Sequence, residues 1–202
     1  MELIGMLDSP YVRRVAVSLQ LLGLPYGHRP ISVFRGFDEF RLINPVVKAP
    51  TLVCADGQTL MDSTLIIDHV ESVAGRSLLP AGGPQRQRAL RMVGLGLAAC
   101  EKAVQIVYER NLRPAEKLHE PWMLRVKGQL VAAFAQIEAE LAAQPLPVEA
   151  ASMDQAGVTV AVAWRFAHEM VPGEVDAQAY PATARHSRQA EGLDAFRAAP
   201  FA

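Results

Sequence analysis

Apolar and polar residues follow two regimes along this chain, and the regime changes near residue 80. Before that point short extended runs interleave with helical ones. Glu2–Met6 reads as a strand, Pro10–Leu22 as a helix, Tyr26–Val33 as a strand and Phe37–Ile43 as a short helix. Thr51–Ala55 and Thr59–Met61 read as a hairpin turned by Ala55-Asp56-Gly57, and Ser63–Ala74 as a helix. Val12, Val15, Ala16, Leu19 and Leu22 recur at helical spacing, with Ser9 as cap, Pro10 at the first helical position and Gly23 as stop. The order β-α-β-α-β-β-α predicts a small mixed sheet. Its first two strands are parallel across a helix, and its last two are antiparallel because their loop is too short for a crossover.

The segment Leu79-Pro80-Ala81-Gly82-Gly83-Pro84 then breaks the periodicity, which predicts a boundary. The expected organisation is a first domain over 1–78, a linker over 79–86 and an all-α domain over 87–202. In that second part Gln85–Tyr108, Glu120–Gln144 and Ser152–Met170 read as long helices, followed by shorter ones at Ala182–Ala190 and Asp194–Ala198. The third is ambiguous, because Val158, Val160, Val162 and Trp164 alternate as in a strand. Its capping-box pattern Ser152-Met153-Asp154-Gln155 and its length favour a helix buried on most sides, the centre of a bundle.

Composition narrows the class of function. Half of the 202 residues are apolar, enough for a substantial core, so disorder is excluded. Twenty Lys plus Arg against 21 Asp plus Glu leave no general field for nucleic acid or anionic lipid. A small ligand read by local groups fits better. The apolar stretches are interrupted short of a membrane span, and residues 1–10 lack the pattern of a signal peptide, so a cytoplasmic protein is expected. Cys54 and Cys100 stand far apart outside any CxxC motif, which points to free buried thiols. Five histidines show no metal-ligand spacing, so no metal is assigned.

Three motifs remain, in order: Ser9-Pro10-Tyr11-Val12-Arg13-Arg14, Lys48-Ala49-Pro50-Thr51-Leu52 and Met61-Asp62-Ser63. Singly, the first and third are ordinary helix caps and the second an ordinary strand start. Together they supply a hydroxyl at a helix start, a backbone edge before a proline and a carboxylate-hydroxyl pair at another helix start. With the linker and the capped buried helix, these motifs resemble those of the cytosolic glutathione transferases, and most closely the bacterial serine-type members.

The resemblance spans essentially the whole chain. It implies a thioredoxin-like N-terminal domain, an all-α C-terminal domain, a homodimer, and glutathione as co-substrate for conjugation to a small hydrophobic electrophile in detoxification. By resemblance Ser9 donates a hydrogen bond to the glutathione sulfur. A free thiol has a pKa of about 8.5, and lowering it by two units takes about 2.7 kcal/mol of preference for the thiolate. A hydroxyl and the positive end of helix Pro10–Leu22 are suited to that task. Tyr11 is the rival hydroxyl, ranked second because tyrosine-type members carry theirs near the end of the first strand, where this chain has Met6.

The resemblance also implies a cis bond at Pro50, with the Ala49 backbone pairing with the peptide of glutathione. Ala49 is smaller than the usual aliphatic residue there. Lys48 then meets the glycine carboxylate or is simply a surface lysine. Ser63 receives the γ-glutamyl carboxylate and Asp62 the α-amino group, aspartate standing where the family more often has Glu or Gln. The electrophile pocket, between the domains by resemblance, has Tyr11, Met92 and Tyr108 as candidates, although spacing alone puts Met92 and Tyr108 in core or interface. Arg13, Arg14, Arg86, Arg88 and Arg91 read as solvated helix faces, with Arg13 or Arg14 the better anion site for an acidic co-substrate. Two other readings stand beside conjugation. One is the glutathione-dependent cis-trans isomerisation of the zeta type, whose motif is similar around Ser9, and the other a non-catalytic binding protein. A thiol-disulfide oxidoreductase is disfavoured, since those relatives place cysteine where this chain has Ser9.

Overall fold

The computed structural model describes residues 1–202, which divide into two compact units. The first comprises Met1–Leu78 and Leu193–Ala202. Its elements are β1 (Glu2–Ile4), α1 (Pro10–Leu22), β2 (Gly27–Arg29), α2 (Phe37–Ile43), β3 (Thr51–Val53), β4 (Thr59–Met61) and α3 (Ser63–Ala74). The strands form one sheet in the order β2-β1-β3-β4, with β1 parallel to β2 and antiparallel to β3, and β3 antiparallel to β4. This is the mixed sheet expected of a thioredoxin-like domain. β1 and β2 are shorter than their apolar runs, because Gly5 turns to φ 135° and Pro30 has no N–H to continue the ladder. Ile4, Ile31 and Phe40 cluster with Val33, Ile43, Val47, Ala49 and Val53. Helix α1 buries Val12, Val15, Ala16 and Leu19 completely and packs against α3, which buries Ile66 and Val70.

The second unit, Leu79–Gly192, is helical: α4 (Gly83–Asn111), a 3-10 turn at Ala115–Lys117, α5 (Glu120–Ala143), α6 (Gln155–Met170) and α7 (Pro181–Glu191). Every residue from Gln155 to Trp164 is buried, so the alternating valines of α6 pack on all sides as a central helix does. Gly96 of α4 makes the close crossing, since a Cβ there would stand 2.9 Å from Thr159 Cγ2. Phe134, Trp164 and Tyr180 pack ring against ring.

Three expectations need correction. The cap of α6 is Asp154, which accepts from Gly157 N–H at 2.8 Å, whereas the Ser152 hydroxyl faces the Glu149 carbonyl. The linker is shorter than 79–86, because Pro84 tolerates the first turn of α4 and the helix starts at Gly83. The last ten residues, with α8 (Asp194–Arg197), belong with the first unit and not with the helical one, since α8 packs on α1. No helix is long and apolar enough to cross a membrane.

Two long-range contacts inside the second unit escape any local pattern. Glu138 of α5 accepts from the backbone N–H groups of Ala182 and Thr183 and from the Thr183 hydroxyl, at 2.7–2.8 Å, and so caps α7 from 44 residues away. His186 is buried with Nε2 3.0 Å from the Gly157 carbonyl. A carbonyl only accepts, so Nε2 carries a proton and donates it to Gly157. Burial lowers its pKa from 6.5, against the opposing pull of that hydrogen bond and of Asp154. In the window just below 6.5 the unfolded chain therefore binds a proton that the folded one does not, and stability falls as pH drops through it. Below the folded pKa both states are protonated and the loss levels off. Asp154, raised from 3.8 mainly by burial, has the opposite slope nearer its own range. Urea titrations between pH 7.5 and 5 should show this loss in the wild type and a flatter profile in His186→Gln.

Candidate functional site

Strand register determines where the three motifs meet. Ile4 pairs with Thr51, and Thr51 pairs with Met61, so these residues form one row across β1, β3 and β4. Beyond that row β1 runs out towards Ser9 and α1, β3 is entered from Ala49-Pro50, and β4 runs out into Asp62-Ser63 and α3. All three therefore emerge at the same end of the sheet. Two helix N-termini and one strand entry share that end.

Ser9 is the cap of α1, half-buried, with its hydroxyl accepting from Val12 N–H at 3.4 Å. A bond that long is weak, so the hydroxyl is only loosely committed to its own helix, and its proton is not used by this contact. Asp8 precedes it. Burial pushes the Asp8 carboxyl above 3.8, opposed by a hydrogen bond from the Ser9 backbone and by the charge of Arg35.

The Ala49–Pro50 bond is cis. Its loop is held by Asn44, a buried residue that sequence reasoning missed: Nδ2 donates to Thr51 Oγ1 at 2.8 Å and Oδ1 accepts from Val46 N–H at 3.0 Å. Thr51 Oγ1 in turn donates to the Lys48 carbonyl at 2.8 Å. The backbone N–H and C=O of Ala49 take no hydrogen bond from the chain itself, which leaves this edge free for an extended ligand. Lys48 is exposed beside it. Gly5 fits beneath: a Cβ there would stand 3.1 Å from Ala49 Cβ and 2.7 Å from Val12 Cγ2, at a φ that alanine adopts poorly. His28 Nε2 pins the Gly5 carbonyl at 2.8 Å. Gly5→Ala should cost about 2 kcal/mol in urea unfolding and displace the Ala49 edge. Wild-type stability in that variant would show that the spacing there is slack.

Asp62, at φ 71°, caps α3 by accepting from Thr64 N–H at 2.9 Å. The Ser63 and Leu65 N–H groups of that first turn have no partner in the chain. Ser63 is buried, and Arg14 Nη1 donates to its Oγ at 3.0 Å and to Thr64 Oγ1 at 3.1 Å. The arrangement offers donors at a positive helix end, which suits a carboxylate.

The remaining expectations divide. Arg13 and Arg14 are not solvated; both are 1% exposed. Helical spacing placed them beside the apolar face of α1, but the C-terminal tail and α3 cover that side. Arg86, Arg88 and Arg91 are bound within the second unit, Arg86 to the Pro80 carbonyl and the other two to Glu140. Met92 is completely buried in the helical unit and so lines no open pocket, while Tyr108, near the end of α4, is exposed. Tyr11 sits half-buried in the first turn of α1. Gly5 was missed as a site residue and Arg14 was expected only as an anion site for an acidic co-substrate, because the approach of Gly5 to Ala49 and the contact of Arg14 with Ser63 join segments far apart in sequence.

The chain matches a family model, "Glutathione S-transferase, N-terminal domain", over residues 3–78. It is 24% identical over 177 residues to an uncharacterized GST-like protein, YibF, of Escherichia coli K12, covering 86% of each chain. Over 133 residues it is 27% identical to maleylacetoacetate isomerase of Pseudomonas aeruginosa, covering 61% of this chain and 63% of that one. A crystal structure of a glutathione transferase family member from Pseudomonas fluorescens Pf-5, with bound S-(propanoic acid)-glutathione, superposes with a TM-score of 0.84. That protein is 28% identical, and the match covers 98% of this chain and 97% of the other.

Proposed function

We propose, for a chain that belongs to the cytosolic glutathione S-transferase superfamily, that it binds glutathione in its N-terminal unit and activates the thiol for transfer to a small hydrophobic electrophile. The observation that carries this reading is the convergence of Ser9, the Ala49 edge and the start of α3 at one end of the sheet. Each element fits a different part of the tripeptide. The free N–H and C=O of Ala49 match the peptide of the cysteinyl residue, and Lys48 is near enough in sequence to meet the glycine carboxylate. The N–H groups of Ser63 and Leu65 with the Ser63 hydroxyl suit the γ-glutamyl carboxylate, and Asp62 suits its amine.

Ser9 then lies at the remaining corner, where its hydroxyl donates to the sulfur. The thiol proton leaves to water and the thiolate is held by the hydroxyl and the N-terminus of α1. Sulfur forms its bond to the electrophilic carbon as the leaving group departs with its electron pair. Ser9 forms no bond to the substrate in this scheme. An ultraviolet difference spectrum of the glutathione complex should show thiolate absorbance near pH 7; a complex that stays protonated up to about pH 8.5 would refute thiol activation.

Glutathione-dependent cis-trans isomerisation is the second reading, supported by the likeness to maleylacetoacetate isomerase. Parallel assays with aryl halides and with maleyl compounds separate the two. We also infer a homodimer, supported by Met61, Leu65 and Val73, which are 38%, 65% and 54% exposed on β4 and α3. Sedimentation at micromolar concentration tests it. A cytoplasmic location accords with Cys54 and Cys100 being thiols outside any disulfide.

A further inference from the structure

We infer that Arg14 is a positioning residue for the α-carboxylate of a γ-glutamyl ligand, acting through the hydroxyls of Ser63 and Thr64. The inference rests on the glutathione reading above and adds a residue to it. A guanidinium has donors only, so the contacts from Nη1 to Ser63 Oγ at 3.0 Å and to Thr64 Oγ1 at 3.1 Å fill acceptor positions on both hydroxyls. Nη1 carries two N–H groups, one for each. A hydroxyl whose lone pair is held by a cation keeps its own proton for a further acceptor, and that proton is polarised by the charge behind it.

Burial makes the device stiff. Arg14 is 1% and Ser63 3% exposed, so the charge is poorly screened and neither side chain has room to turn away. The same turn presents the Ser63 and Leu65 N–H groups without partners in the chain. The start of α3 thus combines oriented hydroxyl protons, free backbone donors and a buried positive charge. An anion fits that combination and a neutral group does not. Arginine suits the task better than lysine, because the two N–H groups of Nη1 are fixed in the guanidinium plane whereas an ammonium rotates.

The test compares ligands within each protein, using glutathione, its analogue lacking the α-carboxylate (4-aminobutanoyl-cysteinylglycine) and its analogue lacking the amine (glutaryl-cysteinylglycine). Binding is measured by titration calorimetry on wild type, Arg14→Lys and Arg14→Met. Affinity for the two ligands that keep the α-carboxylate, glutathione and glutaryl-cysteinylglycine, should fall about tenfold in Arg14→Met and less in Arg14→Lys, while affinity for 4-aminobutanoyl-cysteinylglycine stays the same. A partly inactive preparation cancels from these ratios, so a loss of fold does not imitate the result. Equal weakening of all three ligands, or none, overturns the positioning role while leaving glutathione binding intact. Should both variants fail to fold, Ser63→Ala is read in the same way: it must selectively weaken the two ligands that keep the α-carboxylate, and uniform weakening overturns the inference. A wild-type protein that binds glutathione no better than the decarboxylated analogue also overturns it. Absence of any binding to the wild type refutes the glutathione reading, and this inference falls with it.

Discussion

Ser9→Ala should abolish the thiolate absorbance of bound glutathione near neutral pH and lower kcat/KM about a hundredfold, with less than about 1 kcal/mol lost in stability. The two effects separate because of the geometry at the cap. Holding the thiol two units below its ordinary pKa takes about 2.7 kcal/mol, and a hundredfold rate is the same energy. The capping bond to Val12 N–H is 3.4 Å long, so its removal belongs at the low end of the usual capping range. Affinity for glutathione should change little at pH values where the thiol is protonated in both proteins. The measurements are a pH titration of the thiolate band, steady-state kinetics and a thermal melt on the same preparation. Unchanged thiolate absorbance would remove Ser9 from the mechanism. Tyr11→Phe is the matched control, and a loss confined to that variant would transfer the role to Tyr11.

Arg13→Ala should destabilise the first unit by about 4 kcal/mol, the largest stability effect we expect from a single side chain outside the apolar core. Arg13 Nε donates to the Ala199 carbonyl at 2.8 Å, across 186 residues of sequence, and its guanidinium carbon lies 5.7 Å from the centroid of Phe196. Phe196 and Ala199 are themselves fully buried. Truncation to alanine leaves a buried carbonyl without its donor, removes a cation from an aromatic face and opens a cavity along a long side chain. The C-terminal tail then loses its anchor on α1. For a chain of this size the melting temperature should drop by about 8–16 °C, and removal of residues 193–202 should do comparable damage. A melt within 2 °C of wild type would mean that the tail contributes little to the first unit.

Both experiments concern residues of one motif that sequence reading treats very differently. Ser9 was legible because a cap before Pro10 is a local pattern, readable without knowing what else is near. Arg13 and Arg14 were misread for the same reason. Local pattern places a charged residue of an amphipathic helix in water, and only the arrival of α8 and α3 from distant parts of the chain buries it. Met92 shows the converse, since helical spacing already favoured the core and the packing of the helical unit encloses it completely.

Helix ends divide along the same line. Gly23 and Gly75 stop their helices in the left-handed conformation, as glycine does after a periodic run. Asp154 replaced Ser152 as the cap of α6 because the N–H groups of Ser152 and Met153 turn back to the Glu149 carbonyl, so the helix starts only at Gln155, where Asp154 accepts from Gly157. The cap of α7 had no local signal at all, being supplied by Glu138 from another helix.

Element type, strand order around the hairpin and the three site motifs are written in short-range terms: period, cap, turn residue and loop length. Those terms act within a few residues, so the sequence carries them openly. The common sheet end that unites Ser9, Ala49 and Ser63, the guanidinium behind the start of α3, and the return of the last ten residues to the first unit depend on register and on packing between distant segments. Such contacts form only when the core closes, because their residues have no local preference for one another and meet only where burial brings them together.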